Sequence, residues 1–111
     1  MNKFKNKVCL VTFFYPGAKK YVSKFSKCIN SQTFKDFDLI LICNNTNIDK
    51  AYLKIDQNIK KIFIKGNINT VRLKTILFLK NFHYSKIVFH DIDDACSSNR
   101  IQISVDLLKK K

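Results

Sequence analysis

Three carboxylates occupy four consecutive positions directly after a short apolar run: Asp91, Asp93 and Asp94, interrupted only by Ile92. The whole chain has eight acidic residues, all of them Asp, against twenty-one basic residues. Like charges this close repel each other unless a cation, a helix N-terminus or bulk water relieves the repulsion. Carboxylate oxygens are the ligands that Mg²⁺ and Mn²⁺ prefer. The chemistry that this spacing favours is therefore a divalent metal site that bridges the phosphates of a ligand.

Two alternatives to a metal site stay open from the residues alone. Asp94, or Ser97 or Ser98 behind it, can cap a following helix, and the remaining aspartates would then favour the positive end of that helix. A helix cap accounts for one or two acids more comfortably than for three. An Asp-x-Asp phosphatase of the haloacid-dehalogenase type is a weaker alternative, because Ala95 stands where that family has Thr or Val.

The net charge of +13 raises the question of a polyanionic partner. Nineteen of the basic residues are Lys and only two are Arg, whereas Arg is the usual reader of bases and phosphates. The lysines are also scattered, with no run longer than residues 109–111. We therefore predict solvated lysines and no nucleic-acid partner, with a non-catalytic basic binding module as the alternative function. A nucleotide diphosphate would still be attracted by the positive field.

The cysteines form no metal or redox motif, because no two of them are closely spaced. Three of them lie in apolar segments, where a free thiol behaves as a small hydrophobic side chain. We predict reduced, buried thiols in the cytoplasm. No segment is long enough to span a membrane, so the expected location is the cytoplasm, including the inner face of the membrane. The cysteines are Cys9, Cys28, Cys43 and Cys96.

Short apolar runs rich in β-branched residues alternate with stretches of helical periodicity along the chain. The first run follows a basic start, as in a signal peptide, but it is short and Pro16-Gly17 breaks it, which favours a buried strand. The last stretch begins with alternating apolar positions, so an extended alternative stays open there. The predicted strands are residues 8–14, 39–43, 61–65 and 86–90; the predicted helices are 18–31, 51–56 (the weakest), 69–82 (largely buried) and 99–110.

This alternation predicts an α/β fold with a Rossmann-like parallel sheet and flanking helices. We expect a single partial domain over residues 1–111. If the strand order is 3-2-1-4, the carboxyl ends of the first and fourth strands flank one crevice, which is where ligands bind in such sheets. The aspartates follow the fourth strand and Tyr15-Pro16-Gly17 follows the first, so both would line that crevice.

Three stretches have the order and spacing of a known family. Residues 21–47 contain a helix, a Gln-Thr-aromatic link and a strand; residues 69–81 form a helix with a basic residue; residues 87–108 contain Phe-x-Asp-x-Asp-Asp followed by Asn-Arg-Ile. With these stretches the chain resembles the glycosyltransferase family 2 domain, which has the A-type nucleotide-sugar fold. The likeness covers most of this chain but only the N-terminal, donor-binding half of the family's domain, so the resemblance implies a truncated domain.

We call Asp91, Asp93 and Asp94 the acid cluster. The resemblance implies a role for each of them. Asp93 would be the principal ligand of a Mn²⁺ or Mg²⁺ ion. Asp91 would contact the ribose or the metal, and Asp94 would support both. Arg72 would approach the diphosphate, although its spacing from Asp91 is a few residues longer than the family's.

The resemblance also implies a nucleotide pocket and an activity. Phe14 and Tyr15, in the loop after the first strand, and Asn44, after the second, would hold the base; the family has Asp where this chain has Asn44. The activity would be glycosyl transfer from a nucleotide-diphosphate sugar to a glycan or lipid-linked acceptor. The family's general base lies beyond Asp94, so no catalytic residue is nominated here. A second chain would be one way to supply the missing half.

Overall fold

The computed structural model describes residues 7–82, 84–94 and 97–109. Predictions that concern His83, Ala95 and Cys96 therefore lie outside the described residues. Along the described chain, strands alternate with helices as the sequence predicts, and the last element is a helix rather than an extended segment. The elements are β1 (Val8–Phe14), a 3₁₀ turn (Ala18–Tyr21), α1 (Val22–Asn30), β2 (Phe37–Asn44), α2 (Lys50–Leu53), β3 (Ile59–Ile64), α3 (Ile68–Leu79), β4 (Lys86–Phe89) and α4 (Arg100–Lys109).

The four strands form one parallel sheet in the order β3-β2-β1-β4. This is the order that brings the carboxyl ends of the first and fourth strands to one crevice. The predicted fold class is confirmed. The two central strands, VCLVTFF and FDLILICN, are almost entirely buried, as expected of strands that are covered on both faces. In the register, Leu10 of β1 lies opposite Leu39 of β2 and Val88 of β4.

Alternate residues of the strands build two separate cores. On one face, α1, α2 and α4 pack against Leu10, Leu39, Leu41 and Val88. On the other face α3 packs against Val11, Ile40, Ile42 and neighbouring residues, mainly through its own Val71 and Leu79. The larger core includes Ile92, which is the residue between the first two aspartates of the acid cluster.

Several element boundaries differ from the predictions because of local turn chemistry. The first predicted helix begins as a 3₁₀ turn and becomes α-helical only at Val22. The helix predicted over residues 51–56 is a single turn that ends at Leu53, because Lys54 has a left-handed backbone (φ 53°). β2 begins two residues early, at Phe37, and α3 ends three residues early, at Leu79.

The prediction of a largely buried third helix was wrong. Only Val71, Thr75 and Leu79 of α3 are buried. Its outward side carries Leu73, Ile76 and Leu77, each more than half exposed. Further large apolar side chains are exposed on the edge strands and on α4, which leaves an extensive apolar surface for a monomer; they are Phe63, Phe89, Ile103 and Leu107.

The cysteines follow the prediction only in part. Cys9 and Cys43 are free and buried, and burial together with the charge of Asp38 raises the pKa of the Cys9 thiol to about 12. Cys28 is disulfide-bonded, so the prediction of reduced thiols was wrong there, and the cysteines no longer argue for a reducing compartment. Within the described residues, no helix has the length and apolarity that crossing a bilayer requires.

Candidate functional site

The loop after β1 is a tight turn that places Tyr15 at the carboxyl edge of the sheet. Pro16 and Gly17 take its central positions, and the Ala18 N–H donates to the Tyr15 carbonyl at 2.9 Å. Gly17 has φ 92° and ψ −8°, a left-handed conformation that a type II turn requires and that favours glycine. The sequence Tyr-Pro-Gly thus ends β1 and directs the chain into α1.

The loop after β4 holds the three aspartates at the same edge. Ile92 is buried in the core, whereas Asp91, Asp93 and Asp94 on either side of it are exposed. The Asp94 N–H donates to the Asp91 carbonyl at 3.1 Å and closes the loop into a turn. One carboxylate oxygen from each aspartate lies within 4.8 Å of those of its two neighbours. Their common orientation thus follows from the burial of one isoleucine.

Two contacts fix this loop from the side of α1. The ring of His90 stacks on Phe25, with 6.5 Å between the ring centroids. The Nε2 atom of the same ring lies 3.0 Å from the Asp94 carbonyl oxygen. His90 was not nominated from the sequence, and it joins the acid cluster to the first helix.

Gln32 fixes the chain beyond the aspartates. It is fully buried, and its amide nitrogen donates to the Ser97 carbonyl at 2.8 Å and to the Cys28 carbonyl at 3.1 Å. Its amide oxygen accepts from the Ile101 N–H at 3.0 Å, in the first turn of α4. The Gln-Thr link, which the sequence marks only through the family resemblance, therefore positions the segment that follows the acid cluster.

The helix-cap interpretation of the acid cluster was wrong. α4 begins at Arg100, six residues after Asp94, and its first turn contains no acidic residue. Ser97 and Asn99 lie directly before this helix, and the Ser97 hydroxyl donates to Asn99 Oδ1 at 2.7 Å. The side-chain acceptor for the Ile101 N–H in its first turn is Gln32 Oε1. The three carboxylates therefore do not belong to a helix terminus among the described residues.

The end of β1 and the acid cluster lie close enough to interact electrostatically. The pKa of the Tyr15 phenol is raised above its usual value, first by loss of hydration and next by the negative charge of Asp93, with smaller contributions from Tyr21 and Asp91. β1 and β4 are neighbours, and the sheet order turns back between them. This is the topological switch point at which open α/β sheets bind ligands.

Asn44 lies at the end of β2 on the same edge of the sheet. It is nine-tenths buried, and its side-chain oxygen has no hydrogen-bond partner among the described residues. An unpaired buried oxygen costs free energy, so a ligand or water that bonds to it would be stabilising. Phe14, by contrast, has its side chain inside the core, which leaves only its main chain for a ligand.

Arg72 and Arg100 differ in their positions relative to the aspartates. Arg72 is exposed on α3 and lines neither of the grooves that contain the aspartates. Arg100 lines a groove of about 520 Å³ together with Phe89, His90, Asp91 and Asp94. Its guanidinium donates to Ser104 Oγ and, at 3.4 Å, to the Phe89 carbonyl. The only hint of Arg100 in the sequence was the Asn-Arg-Ile of the resemblance.

A second groove of about 480 Å³ lies on the opposite side of the aspartates, toward α1. Asp93 and Asp94 line one wall, and Tyr21, Lys24 and Lys27 line the facing wall. The acid cluster therefore lines two open grooves, and each groove is also lined by at least one basic residue. An anion that is bridged to the aspartates by a metal ion would meet positive charge on either side.

Comparison with known proteins identifies the fold. No family model matches the chain, and no curated protein matches it in sequence. A structure of TarS from S. aureus, a glycosyltransferase, aligns with a TM-score of 0.68 at 15% identity, over 93% of this chain and 19% of the TarS chain. The 1–349 part of TarS, solved in complex with UDP, aligns with a TM-score of 0.69 at 15% identity, over 93% of this chain and 32% of that one.

A third structure, of TarS 1–349, gives a TM-score of 0.69 at 16% identity, with the same coverage of 93% and 32%. The chain thus spans a third or less of the length of the solved proteins that it matches. At this identity the comparison shows the fold and not the ligand. The chain has a glycosyltransferase-like fold, in which it corresponds to the N-terminal domain.

Proposed function

We propose that this chain binds a nucleotide-diphosphate sugar at the carboxyl edge of its sheet, through a Mn²⁺ or Mg²⁺ ion held by Asp91 and Asp93, as the donor-binding part of a glycosyltransferase. The observation that carries the proposal is the convergence of three carboxylates within 4.8 Å at the switch point of the sheet. The fold likeness to a glycosyltransferase solved with UDP supports the same class of ligand.

The donor set fits a hard divalent cation. All three side chains offer carboxylate oxygens, and all three are exposed, so an ion held by two of them would keep water and phosphate ligands, as Mg²⁺ prefers. When bound, the ion would neutralise charge on the diphosphate leaving group. Asp93, which lines the groove toward α1, would be the principal ligand. Asp91 would be the second ligand, and Asp94 would support both.

Further residues of the edge would bind and orient the nucleotide. Tyr15 and the main chain of Phe14 lie beside the switch point, where the base would bind, and the unpaired oxygen of Asn44 suits a hydrogen-bond donor on the base. Arg100 is the guanidinium beside the aspartates and would contact the diphosphate oxygens in pairs. The role implied for Arg72 stays a prediction.

Transfer would require an acceptor hydroxyl, from a glycan or a lipid-linked acceptor, to attack the anomeric carbon of the bound sugar. An inverting reaction also needs a carboxylate base beside that hydroxyl. We assign no described residue to that role. We propose that the acceptor side comes from another polypeptide segment, either a further part of a longer chain or a second chain. The expected place of this assembly is the cytoplasm or the inner face of the membrane.

Calorimetric titration of the purified protein with UDP tests this function. We expect binding in the presence of Mn²⁺ and none in EDTA, because the diphosphate and the carboxylates are both negative and need the cation between them. Equal binding in EDTA would contradict the metal-dependent site and would favour the basic binding module. Hydrolysis of a generic phosphate ester, lost in Asp91→Asn, would favour the phosphatase.

A further inference from the structure

A large groove lies between α1 and α2. It encloses about 900 Å³, against about 480 and 520 Å³ for the grooves beside the aspartates. We call it the basic groove, because Lys19, Lys20, Lys27 and Lys54 line it together with a single carboxylate, Asp49. Of these residues only Lys27 also lines a groove that contains the aspartates of the nucleotide site proposed above.

The lysines of the basic groove carry more positive charge than its single carboxylate can neutralise. Among the described residues, none of these four ammonium groups forms an ion pair; Lys19 and Lys20 contact only the faces of Tyr52 and Tyr21. The one carboxylate is already engaged, since Asp49 caps α2 by accepting the Ala51 N–H at 2.9 Å. Four cations and one carboxylate leave the groove with a net positive charge, which favours an anionic ligand.

The walls of the basic groove are fixed to each other by hydrogen bonds. The buried hydroxyl of Ser26, on α1, donates to the Leu53 carbonyl on α2. Asn30 donates to the Lys54 carbonyl at 2.8 Å and accepts from the Asp56 N–H at 3.2 Å. Because these contacts hold α1 against α2, the groove keeps its shape without a ligand, which lowers the entropy cost of binding.

We propose that the basic groove binds a flexible chain of repeated phosphate groups without nucleobases. Lysine ammonium groups suit phosphates as point charges, whereas no Arg lines the groove for paired contacts to bases. The exposed aromatic ring of the groove, Tyr52, has the Lys19 ammonium 4.8 Å from its centroid, and that cation covers one of the two faces on which a base could stack. A concave groove also gives a flat bilayer surface little contact.

Lys27 connects this groove to the acid cluster. It lines the basic groove and also the groove that contains Asp93 and Asp94. A phosphate chain that crosses α1 at Lys27 would therefore bring one end beside the aspartates. This last step rests on the proposed function and would make the phosphate chain the acceptor of the transferred sugar. Binding of the phosphate chain in the basic groove does not depend on it.

Binding of a short inorganic polyphosphate, measured by calorimetry in EDTA over a range of salt concentrations, tests the proposal. The variant Lys19→Gln/Lys20→Gln/Lys27→Gln should bind about tenfold or more weakly at low salt. The slope of log affinity against log salt concentration should become less negative by about two. Each lost phosphate contact removes about 0.7 from the slope of a single-stranded polyanion. All three side chains are exposed, so the variant should fold.

A matched control removes the same charge elsewhere. Lys7, Lys74 and Lys80 are also exposed, and two of them lie on or next to α3, on the opposite face of the sheet. Lys7→Gln/Lys74→Gln/Lys80→Gln should therefore keep polyphosphate affinity within about twofold. Equal loss in both triple variants would overturn the basic groove in favour of general charge attraction. Absence of polyphosphate binding in the wild-type protein at low salt would overturn it as well.

Two further probes separate the ligand class and the two sites. A single-stranded oligonucleotide with the same number of phosphates, or vesicles of anionic lipid, should bind no more tightly than polyphosphate; tighter binding of either would overturn the base-free assignment. Asp93→Asn should leave polyphosphate binding unchanged or stronger while it removes metal-dependent UDP binding. The basic groove and the proposed donor site can thus fail independently.

Discussion

Replacing Asp93 with Asn is expected to weaken Mn²⁺-dependent UDP binding by about a hundredfold or more, since even residues that only support metal ligands cost 10- to 100-fold when lost. The substitution keeps the shape of the side chain and removes its negative charge. Asp93 is exposed, so the loss should not come from unfolding. Calorimetric titration of the variant and the wild-type protein under identical conditions measures the effect.

Asp106→Asn is the matched control for this change. Asp106 is an exposed aspartate on α4, where it accepts a hydrogen bond from Gln102 Nε2 at 3.0 Å. The substitution alters the net charge by the same amount, but at a residue outside the grooves that contain the acid cluster. UDP affinity should stay within about twofold of wild type. If Asp93→Asn behaved like Asp106→Asn, the acid cluster would not be the metal site.

Replacing Ile92 with Ala is expected to lower the free energy of unfolding by about 2–4 kcal/mol. Ile92 is only 2% exposed and belongs to the core that α1 and α4 build on the sheet. The same change should weaken metal-dependent UDP binding by about tenfold or more, because Ile92 fixes the loop on which the aspartates stand. Urea unfolding gives the first quantity, and titration under folding conditions gives the second.

Ile103→Ala separates this effect from the loss of any isoleucine. Ile103 is 48% exposed on α4, so its truncation should cost less than about 1 kcal/mol and leave UDP binding unaltered. If Ile92→Ala were destabilised as expected but bound UDP like the wild-type protein, the loop would not need its buried anchor. Binding of the metal ion and UDP, and not the burial of Ile92, would then order the aspartates.

The strands, their parallel arrangement and the place of the aspartates at a strand end could be predicted from the sequence because each depends on local patterns. The runs VCLVTFF and KIVF are rich in β-branched and apolar residues, and the helical stretch that follows the first run carries lysines between its apolar positions. Right-handed crossovers then leave few ways to order four parallel strands. The end of β4 could therefore be predicted as a ligand-binding edge.

Features that depend on contacts between distant residues were missed. Asp38 lies outside the predicted strand 39–43, yet it is fully buried in β2, where Tyr84, forty-six residues away, donates a hydrogen bond to its carboxylate at 2.7 Å. Gln32 contacts Ser97 and Ile101 over separations of 65 and 69 residues. Arg100 reaches the acid cluster for the same reason, since only the packing of α4 sets its position. No pattern within one segment contains such pairs.

The predicted burial of α3 failed for another reason. Its sequence, INTVRLKTILFL, is apolar on nearly all sides, and such a helix is normally buried. In the structure one side packs on the sheet, whereas Leu73, Ile76 and Leu77 face away from it. Periodicity shows that a helix has a second apolar side but cannot show what covers that side. The expectation of a partner for this chain stays a prediction.

Paramagnetic line broadening by Mn²⁺ tests most directly whether the aspartates at the end of β4 hold the metal. Trace Mn²⁺ would be added to ¹⁵N-labelled protein with UDP, and the amide signals would be followed by NMR. We expect the signals of residues 91–94 and of Tyr15 to lose intensity first, and we expect Asp93→Asn to abolish this effect. First loss around Asp49 and Asp56, or uniform loss across the chain, would contradict a metal site at the acid cluster.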